Sequence, residues 1–219
     1  MNKFFQMTLA ILVAGMPVHV MAASADETVA ELQRDWAIAN YEKQGDQQSE
    51  AFEALILNSE SATEAYPDSA GIWIWDGIIR SSYAGAKGGL GALSLAKQSR
   101  KSLEKAMSID PEALNGSAYT SLGTLYFNVP GWPVGFGNDK KAVQLLERAL
   151  ELNPDGIDPN YFYADYLRQQ KEYERAEQYF LKAQSAPARA GRELADAGRQ
   201  KEIQAALADV REKLGRSIT

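Results

Sequence analysis

The chain has 219 residues, a net charge of −6, one histidine and no cysteine. The acidic balance opposes nucleic-acid binding, which needs a basic face to release phosphate counterions, and the missing cysteine removes disulfides and thiol chemistry. A body of about 200 residues buries about 70% of its unfolded surface, so it needs no such staples to be stable.

The first element is Lys3, an apolar run from Phe4 to Val20, and small residues at Ala22 and Ala23 ahead of Asp26 and Glu27. One positive charge, a short apolar core and a small-residue cleavage site predict a secretory signal peptide over residues 1–22. Pro17 and His19 interrupt the run short of the ~20 apolar residues a bilayer span requires. The protein is therefore expected to be periplasmic or secreted, with no membrane span after cleavage. Cleavage removes Lys3, taking the net charge from −6 to −7, and removes His19, the single histidine. Without imidazole or thiol the mature chain lacks the commonest general base, transition-metal ligand and nucleophile. The expectation is a protein that is not an enzyme, with no catalytic residue, metal or cofactor. No cysteine follows the signal, so no lipid anchor is expected.

Three proline-terminated helical phrases follow: residues 64–67 ending at Pro67, 102–111 ending at Pro111, and 145–154 ending at Pro154. Proline disfavours helix in the residue before it and cannot extend the preceding helix, so these are stop signals. Upstream of Pro154, Tyr119, Leu122, Gly123 and Tyr126 recur at helical spacing on one face. The small Gly123 admits a second helix bearing Ala142, Leu146 and Ala149. Trp73, Gly77 and Arg80 repeat that face one unit earlier. One unit later Ala164 replaces the glycine, and Ala176, Phe180 and Ala183 precede Pro187.

Aromatic, Leu-Gly and aromatic on one helix, then alanine, a bulky apolar residue, alanine and proline on the next, resemble the tetratricopeptide-repeat family over about residues 29–188. The resemblance implies an all-α protein: about four helical pairs over residues 23–188, stacked as a right-handed α-solenoid, with residues 189–219 as a C-terminal capping helix. The first pair, around Trp36 and Phe52, fits least well, as terminal repeats do. Arg192 to Leu214 reads as a closing helix, broken or delayed near Gly198, over the end of the stack.

Two repeats exceed the family length and carry insertions, Gly85 to Gly91 and Asn128 to Asp139. The first reads as a flexible turn, since Lys87 precedes the paired glycines and no strand leads into a phosphate loop. In the second, Pro130 and Pro133 stiffen a loop carrying Trp132 and Phe136. Those rings either fold back over the core or present a preorganised aromatic surface. Asn153, Asp155 and Asp158 surround Gly156 but lack calcium-loop spacing.

The family pattern implies a concave binding face on the first helices: Ile74 and Ile78, then Thr120, Thr124 and Phe127, then Tyr161, Asp165, Arg168 and Gln169. Of the basic clamp that some relatives close on a peptide carboxylate, only Arg168 is present. The Gly-Trp-Pro insertion together with Leu145 to Leu150 also resembles exported bacterial repeat proteins that include the T-component of tripartite ATP-independent periplasmic transporters. The function expected is a non-catalytic protein-protein interaction scaffold or adaptor in the bacterial cell envelope, its partner an envelope protein or peptide. The alternative is an accessory small-solute binding protein associated with a periplasmic transporter.

Overall fold

The computed structural model describes residues 23–216. The expected signal peptide lies outside the described residues. Among those residues there are nine helices and no strand: α1 (Ala25–Tyr41), α2 (Gly45–Ala65), α3 (Ala70–Lys87), α4 (Gly89–Ile109), α5 (Ala113–Asn128), α6 (Asp139–Leu152), α7 (Ile157–Gln169), α8 (Tyr173–Gln184) and α9 (Glu193–Lys213). None of them is long and apolar enough to cross a membrane. Helices α1 to α8 form four hairpins, and the odd-numbered members stack on one another as an inner layer.

Local chemistry sets these boundaries. Ser24 and Glu27 form a capping box at the start of α1, and the Asn138 side chain accepts from the Lys141 amide to start α6. Helices α2, α4 and α6 end at Ala65, Ile109 and Leu152, two residues before Pro67, Pro111 and Pro154. The small residues do what their spacing predicts: a Cβ on Gly77 would fall 2.6 Å from Leu103 Cγ, and one on Gly123 would fall 2.8 Å from Leu146 Cγ. Leu103 and Leu146 are fully buried, so each hairpin closes by seating a leucine on its partner's glycine.

A polar knot crosses the core of the second hairpin. The buried Asp76 carboxylate accepts from Ser59 Oγ of α2 (2.7 Å), Ser102 Oγ of α4 (2.5 Å) and Arg80 Nε (2.9 Å). Arg80 continues outward to Glu60 (2.8 Å). With every member paired, the knot fixes the register of three helices at once, whereas a half-satisfied one would destabilise the core.

Two elements differ from expectation. The turn expected over residues 85–91 joins two helices as read but is confined to its middle: α3 stays helical through Lys87 and α4 begins at Gly89, with the chain reversing on Gly88 and Gly89 at φ of 61° and 63°. The extra residues lengthen the helices to 18 and 21, against 13 and 12 in the fourth hairpin. Helix α9 is likewise unbroken at Gly198. It runs along α8 and α7 and reaches α1. There Gly198 lies flat on the Tyr41 ring, with no room for a Cβ. Its first turns, Leu194 and Ala195, pack into the N-terminal core beside Trp36 and Trp75, and Ile203, Leu207 and Val210 fill the C-terminal core. Glycine at 198 serves close approach, so the helix needs no break there.

Gly77→Ala is expected to lower Tm by about 2–6 °C through overpacking against Leu103, partly offset by helix propensity. Gly85→Ala, with nothing within 4 Å of its new methyl, should instead gain about 0.5–1 kcal/mol. Thermal denaturation of both variants checks the pair, and a loss at Gly85 would contradict a helix there.

Candidate functional site

Because α9 returns to α1, the inner helices do not line an open groove. Faces of α1, α3, α5, α7 and α9 instead surround a central cavity of about 530 Å³. Its charged side is built where α7 begins. Asp158 accepts from Arg199 Nε (3.0 Å) and Arg189 Nη1 (2.6 Å), tying the start of α7 to α9 and to the turn before it. Arg189 also grips Asp196 (2.5 Å), and Arg199 pairs with Glu202 one turn on. Burial pushes the Asp158 carboxyl up, but Arg199 and Arg189 outweigh it and hold it at about 2, below its ordinary 3.8. Burial works against the Arg199 charge, yet Asp158 leads a set of neighbours that raise its pKa overall.

Aromatic rings support the cations. The Arg199 guanidinium lies 4.4 Å from the Tyr161 ring centre and 4.7 Å from that of Phe162. Arg192 lies 5.0 Å from the Trp75 ring centre, a separation at which cation–π attraction operates. Beyond them, Trp36 donates from Nε1 to Ser82 Oγ (2.8 Å), and the hydroxyls of α5 complete a polar wall.

The residues expected on a concave face fall in three places. Ile78, Thr120 and Thr124 line the cavity. Ile74 is fully buried in the core and Phe127 packs on Tyr166 (5.8 Å). Tyr161 lies beneath Arg199, while Asp165 holds Arg168 (2.6 Å), which reaches Asp209 of α9 (3.1 Å). Helix α9 itself therefore occupies the fourth hairpin's inner face. Gln169 is at the surface, bonded to Asn128 (3.2 Å). Sequence reasoning passed over Trp75 and Arg199, weighed Asp158 only as a calcium ligand, and gave Trp36 and Arg192 places in helices without a binding role. Asp158 reads as turn chemistry beside Pro159, and the arginines are spread through a segment with no sharp apolar face. An aspartate directly before the α7 proline was the one available signal.

The two rings of the second insertion part company. Phe136 packs edge-on against Tyr126 (5.6 Å), with Arg100 over its other side (4.7 Å). Trp132 is 89% exposed and Val134 64%. The loop beneath them is tied by backbone bonds from Gly135 N to Gly131 O (3.0 Å), Gly137 N to Pro130 O (3.0 Å) and Asn138 N to Tyr126 O (2.8 Å). Gly135 and Gly137 press against the Pro130 and Val129 carbonyls, where no larger residue fits.

Comparison with known proteins places a tetratricopeptide repeat at residues 157–188, which are α7, α8 and the turn after them. The crystal structure of MamA protein is similar at 18% identity and a TM-score of 0.44, covering 86% of this chain and 92% of that one. PilF of Pseudomonas aeruginosa is similar at 17% identity and a TM-score of 0.33, covering 87% and 93%. No curated protein matches the chain.

Asp158→Asn is expected to cost about 2–4 kcal/mol at neutral pH, because it strips a partner from the buried Arg199. The folded-state pKa lies below the unfolded one, so this stabilisation is present above pH ~4 and is lost as pH falls towards 2. Urea unfolding across that range should show the gap between parent and variant closing on acidification.

Proposed function

We propose that this protein is a non-catalytic interaction scaffold of the bacterial cell envelope that docks an envelope protein or peptide on its outer Trp132 loop. The observation that carries this reading is a tryptophan 89% exposed on a loop that its own backbone bonds hold rigid. Tryptophan dominates the energetics of protein interfaces, and a ring already held in place has little conformational entropy left to lose on binding. Helical repeats ordinarily bind along their concave surface. In this chain α9 lies over the fourth hairpin's share of that surface, through Arg168 to Asp209 and Arg199 over Tyr161. An extended peptide would have to displace it. The outer loop needs no such rearrangement, and Phe136 anchors its base on Tyr126. The address follows from the signal-like residues 1–22. The cavity favours a second reading, the small-solute binding protein of a periplasmic transporter, because its size falls within the ~300–1,000 Å³ range of small-molecule pockets.

The test is a photo-reactive amino acid placed at position 132 in cells, with the same probe at position 161. The expected result is one defined envelope protein captured at 132 and not at 161, with Trp132→Ala weakening the purified complex by about thirtyfold and leaving Tm unchanged. Capture at 161 alone, or unaltered affinity in a folded Trp132→Ala protein, would overturn the scaffold reading. N-terminal sequencing of the exported protein checks for a start near Ala23.

A further inference from the structure

Among the described residues of the cavity wall, the cation Arg192 is left without a counter-ion. It is half-buried over the Trp75 ring; its Nε and the Trp75 Nε1 are sealed from the cavity and have no acceptor among the described residues. A guanidinium can only donate, so what the rest of the Arg192 fork lacks is an acceptor. Arg192 also makes no ion pair with the described residues. The acids around it are committed elsewhere: Asp158 to Arg189 and Arg199, Asp196 to Arg189, and Glu202 to Arg199. Burial and the like charge of Arg189 hold the Arg192 pKa below its ordinary value, as befits a cation without a contacting counter-ion.

We propose that the cavity binds a small aromatic monocarboxylate, its carboxylate against the Arg192 guanidinium and its ring among Trp36, Ile78 and Phe162. A planar carboxylate matches the fork of a guanidinium. The charge count selects a monoanion. With Asp155, which also lines the cavity, Arg189, Arg199, Asp158, Asp196 and Glu202 carry two surplus negative charges, which offset Arg192 only at a distance. A single carboxylate in contact outweighs that repulsion, whereas a dianion doubles attraction and repulsion alike while its desolvation cost rises with the square of its charge. Flat apolar walls with hydroxyls behind them at Ser82, Thr120 and Ser121 suit a ring carrying one polar group. This site is independent of the outer loop, so Trp132→Ala leaves it intact.

The experiment is calorimetric titration of the mature chain with phenylacetate, with its uncharged isostere phenylacetamide, and with phenyl phosphate as a dianion. Phenylacetate is expected to bind at least tenfold more tightly than either of the others. Arg192→Met should erase that preference while raising the Tm of the unliganded protein, because the variant no longer buries an unpaired charge. Ser121→Leu, which fills the cavity from the opposite wall and keeps Arg192, should weaken phenylacetate binding at least tenfold. The proposal is overturned if phenylacetate does not bind at millimolar concentration, if acid and amide bind equally, or if phenyl phosphate binds as well. Unchanged phenylacetate affinity in folded Arg192→Met or Ser121→Leu would overturn it too.

Discussion

The arrangement rests on one carboxylate at the start of α7. Asp158 takes two guanidinium groups, Arg189 from the turn before α9 and Arg199 from its second turn. Between them these bonds set where α9 leaves the fourth hairpin and in which direction it runs. The apolar face of the helix then follows: Ile203 and Val210 drop into the C-terminal core, Ala195 enters the N-terminal one, and Gly198 settles on Tyr41. A buried ion pair is weak evidence of stability on its own, since desolvation offsets much of its Coulombic gain. Its larger effect here is specificity, because a helix with so diffuse an apolar pattern could otherwise dock in several registers.

The hairpins beneath α9 solve a different problem. The second, third and fourth hold their two helices close with a residue lacking a bulky side chain, Gly77, Gly123 and Ala164 in turn, and in the second and third a buried leucine seats on it. The second hairpin adds the Asp76 knot, which bonds α2, α3 and α4 through side chains that are themselves fully paired. Ile78, between Asp76 and Arg80 on α3, packs against both hydrophobic clusters. The rigidity of the cavity wall therefore derives from polar satisfaction behind it as much as from apolar contact within it.

How legible this was depended on the range of the interactions. The helix stops at Pro67, Pro111 and Pro154 and the glycine seats at 77 and 123 are local or hairpin-scale effects, and residue spacing reveals them directly. Reading all of Gly85 to Gly91 as a turn placed the reversal but overran its ends, because glycine lowers helix propensity while tertiary packing of the long α3/α4 pair keeps both flanks helical. The candidate face was drawn from repeat periodicity, which describes each hairpin separately and carries nothing about a ninth helix crossing back to the first. Ile74, Tyr161 and Arg168 belong to that blind spot. So do Arg192 and Arg199, whose partners stand far away in sequence. Trp132 and Phe136 share one loop and one composition, and only the three-dimensional path of the loop distinguishes the ring that packs from the ring that does not.

The seating of Gly198 on Tyr41 sets a limit on size. An open repeat array grows by adding units, each needing only its neighbour. In this chain the ninth helix must span a gap of fixed width, from the fourth hairpin back to the first. One more hairpin between them would carry Asp158 and its arginines away from α1 and leave Tyr41 facing nothing. Insertions are tolerated inside a unit, as the lengthened α3 and α4 and the Trp132 loop show, and whole added units are not. This architecture varies by elaborating its repeats, and its repeat number is held constant by the same contact that makes its interior a room and not a corridor.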